Sequence, residues 1–380
     1  MKSLDVRLPL VAAAVLAVIA TIMAAAGRLP GEMRDFEVYW TAAARALEAE
    51  PLYRAGDGHY QFKYLPAFAV LTAPMALLPL TQAKAVWFVA SAAMLPILIW
   101  LAVAILPQRH RSGWALVLIA LVVMGKFYGH ELVLGQVNLL FAVIATAALL
   151  LLRQRHDASA GLLFVAAVAV KPYAIIFLPW LAFVRGRRAM VASLAGLVVL
   201  VALPIIVYGA PRTLALHQEW WTTVSASTAP NLTNNDNVSV AGMFAKWLGA
   251  GRGAWILTLV LNSLLLIGAA LVVVRGRGLL HREALEGALL LTLIPLLSPQ
   301  GWDYVFLVAT PAVVLLANDD RHLPRGLRWA TWLAMLTIGL SLYDLLGRER
   351  YAAFMSWSLI TVCFILLVAS LAVLRLRRSA

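Results

Sequence analysis

Apolar runs recur from Leu8 to Leu374, and they decide what this chain can fold into. Runs of roughly 15 to 23 residues, enough to cross a bilayer or nearly so, alternate with several shorter ones. In lipid every backbone N–H and C=O needs a partner within its own segment, so such runs fold as helices. Hydrophobic residues make up 63% of the 380 and charged residues 13%, which excludes an ordinary soluble domain and a disordered chain. No stretch is left for a soluble domain of usual size. The expectation is one all-α polytopic membrane domain over residues 1–380, with about twelve transmembrane helices and two long outer loops.

The expected spans are Leu8–Ala26, Lys84–Leu106, Trp114–Phe127, Val137–Leu152, Ala160–Val170, Tyr173–Val184, Met190–Tyr208, Ala254–Val274, Ala284–Leu297, Tyr304–Ala317, Trp329–Tyr343 and Ala353–Leu374. Leu8–Ala26 lacks a convincing cleavage site and is read as an uncleaved helix rather than a signal peptide. Ala67–Leu80 is short and carries Pro74 and Pro79, so it is placed in the interface. The outer loops are residues 27–66 and 209–253.

A net charge of +13 invites a nucleic-acid reading, but the placement of the charge points to a membrane. Lys2, Arg7, Arg109, Arg111, Arg153, Arg155, Arg185, Arg187, Arg188, Arg275, Arg277, Arg282, Arg321, Arg325, Arg328, Arg375, Arg377 and Arg378 fall in short loops on one side, with few acids among them. This is the positive-inside pattern. It puts both termini in the cytoplasm of a bacterial-type cell and both long loops outside. No nucleic-acid partner is expected. The lone cysteine, Cys363, lies in an apolar run, so an intrachain disulfide and a cysteine metal cluster are both ruled out.

On that topology the unusual polar residues gather at the outer ends of the helices. They are Asp35 and Lys63; His130, Glu131, Gln136 and Asn138; Lys171 before Pro172; Asn231 to Ser239; and Ser298 to Asp303. Ionisable groups in a membrane chain lie where they have work to do. Asp35, just beyond the first helix among aromatics and arginines, is the first candidate for chemistry. It could equally cap the helix expected from about Phe36 to Ala49. Lys171 either snorkels to the interface or holds an anionic headgroup. Gln136 and Asn138 either cap a helix or bind ligand. Trp302 is either an interfacial anchor or a stacking platform. Walker, His-Glu-x-x-His and dinucleotide glycine motifs are missing. Asp35, Glu37, Asp236 and Asp303 form no recognisable metal-ligand motif, so no cofactor is required, with a divalent ion left open.

Asp35-x-x-x-Tyr39-Trp40, Pro51-Leu52-Tyr53 and Phe62-x-Tyr64-x-Pro66 resemble the opening of glycosyltransferase family 87. Gly135-Gln136-Val137-Asn138 and Lys171-Pro172 resemble its middle. Asn237-x-Ser239 and Leu297-Ser298-Pro299-x-x-Trp302 resemble its later outer loops. The chain departs from the family at Val238, where glutamine is common, and after Trp302, where a histidine-containing sequence is common. The resemblance implies the C-type glycosyltransferase fold and a polyprenyl-phosphate sugar donor used on the outer membrane face. Asp35 then matches the proposed catalytic base. Lys171 lies near the donor phosphate, with Lys63 or His130 as helpers. Tyr39, Trp40, Tyr64, Gln136, Asn138, Asn237, Ser239 and Trp302 become candidates for sugar or acceptor binding. The expected partners are that donor, a glycolipid or glycan acceptor and membrane lipids, and the expected reaction is inverting transfer of a hexose such as mannose. A secondary transporter or lipid flippase is the rival. It would need ionisable or broken-helix elements near the midplane, often in duplicated halves, and the sequence shows no repeat.

Overall fold

The computed structural model describes residues 33–276 and 282–377. The span expected at Leu8–Ala26 and the charges at Lys2, Arg7, Arg277 and Arg378 lie outside the described residues. Among the described residues there are helices and no strand; a single isolated bridge pairs Asn237 with Trp302.

Sixteen α-helices follow in order. They are α1 (Arg34–Leu47), α2 (Pro66–Thr72), α3 (Leu80–Ala104), α4 (Gly113–Leu134), α5 (Asn138–Arg153), α6 (Asp157–Val170), α7 (Phe177–Arg185), α8 (Arg187–Ala202), α9 (Ile205–Ala226), α10 (Val240–Leu248), α11 (Arg252–Arg275), α12 (Arg282–Leu297), α13 (Thr310–Asp319), α14 (Arg325–Leu340), α15 (Tyr343–Ser356) and α16 (Leu359–Arg377). Short 3-10 turns fill several of the joints, at Ala55–Tyr60, Ala73–Leu77, Pro172–Ile176 and Asp303–Ala309.

Among the described residues, four helices, α3, α4, α11 and α16, are long and apolar enough to cross a membrane. The count rises to six if α8 with α9, bent by 87°, and α14 with α15, bent by 105°, each form one span. Pro66–Leu77, Asn138–Arg153, Asp157–Val170 and Pro172–Val184 are apolar but shorter. Of the eleven expected spans within the described residues, most therefore correspond to apolar helices, and four of these have full spanning length. The segment expected in the interface is helical, forming α2 and the 3-10 turn after it. Pro66 opens α2 at its first position, where a missing N–H costs nothing. The span expected at Met190–Tyr208 is broken at Leu203–Pro204, because proline removes a donor and its ring crowds the preceding turn. The expected outer loop 209–253 is largely helical, in α9 and α10.

The chain falls into two compact units. The first takes the described residues of Met1–Leu98 with His130–Ala148 and His156–Ser227. Its tightest helix pair is α6 against α8. A Cβ on Gly161 would sit 2.6 Å from the Ala189 carbonyl oxygen and 2.8 Å from Ser193 Oγ, so only glycine lets the backbones approach this closely. The second takes Ile99–Gly129, Leu149–Arg155 and Thr228–Ala380. Its core is α12, α13 and α16, where Phe306 and Phe364 stack at 3.8 Å. Arg375, 1% exposed, donates Nε to Glu286 Oε1 at 3.0 Å and a guanidinium N–H to the Gly276 carbonyl at 2.8 Å.

Candidate active site

Helix α1 carries the centre of the first unit. Its alanine-rich sequence favours helix, and Asp35 and Glu37 in the first turn with Arg45 in the last complement the helix dipole. It begins at Arg34, two residues before the expected start. The residue ahead of it, Met33, is left-handed (φ 62°) and donates its N–H to the Val133 carbonyl at 2.9 Å. No side chain caps the helix. Asp35 is thus free of the capping role open to it from sequence, and its carboxylate turns instead toward the loop between α4 and α5.

Gln136 on that loop donates Nε2 to Asp35 Oδ2 at 2.7 Å. Its Oε1 accepts from the Tyr39 hydroxyl at 2.8 Å. Tyr39 lies one turn after Asp35 on the same flank of α1. The Tyr39 and Tyr64 hydroxyls are 2.7 Å apart, and Lys171 Nζ donates to the Tyr64 hydroxyl at 2.8 Å. A hydroxyl has one proton to give. Tyr39 gives its proton to Gln136, so Tyr64 is the donor between the tyrosines. Every donor in the relay Lys171, Tyr64, Tyr39, Gln136, Asp35 then points from the cation toward the carboxylate. Each bond in such an aligned chain polarises the next. Five residues from four separated segments meet here, and all five were expected at the site.

Several contacts hold this relay in place. Gly135 has φ +69°, and a Cβ there would meet Phe36 Cβ at 2.8 Å, so the turn presenting Gln136 needs glycine. Its carbonyl accepts from Trp87 Nε1 at 3.1 Å. The Tyr53 hydroxyl donates to the Tyr64 carbonyl at 2.7 Å. Lys171 also lies 4.7 Å from the Tyr64 ring centre, a cation–π distance. It falls at the break between α6 and the Pro172–Ile176 turn, where Pro172 stops the helix. Trp220 Nε1 donates to the Lys63 carbonyl at 3.1 Å.

Burial pushes the Asp35 carboxyl above the ordinary aspartate value, against the Gln136 hydrogen bond and the charges of Lys171, His59 and Lys63, which all pull it down. Burial lowers the Lys63 amine, with Asp35 opposing. A half-buried carboxylate facing several cations can accept a proton, and those cations can hold an anion.

The other expected residues are not members of the relay. Asn138, fully buried at the start of α5, donates Nδ2 to Glu131 Oε2 at 2.8 Å, and Glu131 Oε1 accepts the Leu139 N–H at 2.8 Å. Glu131 therefore caps α5, a role that a carboxylate ahead of Gly-Gln-Val-Asn could have suggested. Trp40 Nε1 donates to the Leu78 carbonyl at 3.0 Å and ties α1 to the end of the Ala73–Leu77 turn. His130 is exposed near the end of α4. Lys84, 2% exposed, pairs with Glu37 at 2.5 Å, and nothing in the sequence singled it out.

Asn237, Ser239 and Trp302 meet in the second unit. Asn237 Nδ2 donates to the Asn231 and Pro299 carbonyls at 3.0 and 2.9 Å. Its Oδ1 accepts from Ser239 Oγ at 2.8 Å, and Ser239 Oγ caps α10 by accepting the Gly242 N–H at 2.9 Å. These side chains knit the loop that ends in Trp302. In the same unit Lys126, on α4, lies 3.0 Å from Asp303 Oδ2 and 4.8 Å from the Tyr351 ring centre, a buried pair whose lysine went unnoticed in the sequence. Among the described residues, no three His, Cys, Asp or Glu side chains gather as a metal ion would need.

No curated protein and no solved structure gives a match. A family model does. Glycosyltransferase family 87 matches residues 62–299, more than half of the chain, taking in Lys63, Tyr64, His130, Gln136, Asn138, Lys171, Asn237 and Ser239. Asp35 precedes the matched region and Trp302 follows it. With its long apolar helices and this match, the chain belongs to glycosyltransferase family 87 and is a multi-pass membrane glycosyltransferase.

Proposed function

We propose that the chain transfers a hexose, with mannose the first candidate, from a polyprenyl phosphate to a hydroxyl of a glycolipid or glycan, inverting the anomeric configuration. The observation that carries this reading is the relay joining the Asp35 carboxylate to the Lys171 ammonium. Asp35 takes the proton of the acceptor hydroxyl. The oxygen forms a bond to the anomeric carbon as the bond from that carbon to the phosphate oxygen breaks. The phosphate leaves with the electron pair, and Lys171 and Lys63 hold its added charge. Fixed charges of this kind are often the largest single contribution to catalysis. Gln136 keeps Asp35 aligned, and Tyr39 and Tyr64 fix Lys171. The proposal places this site on the outer face of a bacterial-type cell membrane, where no nucleotide donor is needed.

The test is Asp35→Asn in purified protein given lipid-linked hexoses and candidate acceptors. Turnover should fall about 100- to 10,000-fold, the usual worth of a general base. Near-normal turnover in a folded variant removes Asp35 from the role. Lys171→Ala should raise KM for the donor more than for the acceptor, and equal effects on both argue against phosphate binding. Mass spectrometry of glycolipids from cells with and without the chain names both substrates through a missing one-hexose increment.

A further inference from the structure

A concavity lies on the neighbouring face of α1. Its volume is about 460 Å3, and its walls include Arg34, Thr41, Arg45, Asp57, Tyr60 and Phe62. Small-molecule sites occupy about 300 to 1,000 Å3. At 3.6 residues per turn, Arg34, Val38, Thr41 and Arg45 share one stripe of the helix, while Asp35 and Tyr39 lie on the stripe about 100° round. The concavity is thus beside the Asp35 relay, with α1 as the wall between them.

Its floor is fixed in advance. Arg45 grips Asp57 with two hydrogen bonds, at 2.6 and 2.8 Å, pinning the Ala55–Tyr60 turn against α1. Glu37, also in the lining, is held by Lys84. Arg34 reaches the Tyr60 hydroxyl at 3.4 Å. Tyr60 is 42% exposed, a large ring left at the rim. The charged lining residues are two arginines, one aspartate and one glutamate, and their charges cancel. A phosphate or carboxylate site would carry an excess of cation. Hydrogen-bond donors and acceptors interleaved around two aromatic rings suit neutral sugar hydroxyls and the apolar face of a pyranose.

We infer that this concavity is an acceptor subsite, binding a neutral hexopyranose unit of the acceptor glycan beside the catalytic aspartate. The inference rests on the transfer reaction proposed above, since it supposes that the acceptor carries sugar. Thr41 and Tyr60 lie outside the relay, so their variants separate the two claims.

The experiment is saturation-transfer NMR on the full chain in nanodiscs, with methyl gluco-, manno- and galactopyranoside as probes. At least one hexoside should receive saturation in the wild type and equally in Asp35→Asn. The signal should drop about five- to tenfold in Tyr60→Ala, the scale of one aromatic contact, and should disappear in Thr41→Trp, which fills the space. Tyr60 is exposed enough that its loss leaves the fold intact. No transfer to any hexoside, transfer unchanged in both variants, or displacement by inorganic phosphate each overturns the inference. If Asp35→Asn keeps full turnover while hexoside binding follows this pattern, the base assignment falls and the subsite stands.

Discussion

Asp35 sits in the first turn of a helix yet directs its carboxylate sideways to Gln136. Burial raises its pKa, and Gln136, Lys171, His59 and Lys63 lower it. A base loses activity as pH falls through its pKa, so the acid limb of kcat/KM should lie above the ordinary aspartate value. Gln136→Ala removes a donor that favours the carboxylate, and Lys63→Met removes a cation. Both should move that limb to higher pH, and a pH–rate profile of each variant reads the shift. An unmoved limb in an active variant assigns it to another group. The stability consequence has the same origin. Because the folded pKa is raised, the ionised carboxylate costs stability at neutral pH, and stability is regained as pH falls through the raised value. Asp57 behaves oppositely. Arg45 depresses its pKa, so its contribution is present above the ordinary carboxylate value and is lost as pH falls through the lowered one. At this scale the sequence named all five members of the relay. It could not show Trp87 or Lys84 behind them, because their contacts cross more than forty residues and follow no local spacing. It also offered Trp40, Asn138, Asn237 and Ser239 as sugar ligands, where the structure engages them in caps and loop bonds.

Among the elements, the turn at Gly135 decides whether the relay forms. Gly135→Ala must adopt φ +69° and crowd Phe36, which costs about 1–3 kcal/mol. The apparent melting temperature should drop and transfer should fall with it, while Gly56→Ala, in open space, changes neither. Gly161→Leu should separate α6 from α8 and show the same thermal loss. Apolar runs located most of these helices. It misplaced their ends where polar residues stay helical because the surrounding protein satisfies them. α4 runs on through Gly125, Lys126, Gly129, His130 and Glu131 to Leu134, well past the Phe127 expected from hydropathy. Hydropathy also hid the break at Pro204, since both sides of it are equally greasy.

For the molecule as a whole, charge asymmetry set the proposed orientation. Arg375 was counted on the inner side as a loop charge, but it is buried against Glu286. Removing one member of such a pair strands the other and costs about 3–5 kcal/mol. Glu286→Gln should therefore lower thermal stability, and the double change Arg375→Met with Glu286→Met should recover much of the loss. Orientation has its own test. In a Cys363→Ala background, an impermeant maleimide should label Gly56→Cys in intact cells and Arg321→Cys only after permeabilisation. The reverse pattern inverts the topology and moves the proposed site to the inner face.

The amide at the centre of the relay has a further consequence. A carboxamide passes polarisation along but does not hand a hydrogen nucleus from its nitrogen to its oxygen, so Gln136 acts as an insulator between two titrating ends. Whatever Asp35 accepts cannot drain toward Lys171. On the proposed mechanism it has to escape into the water beside α1 before the next cycle.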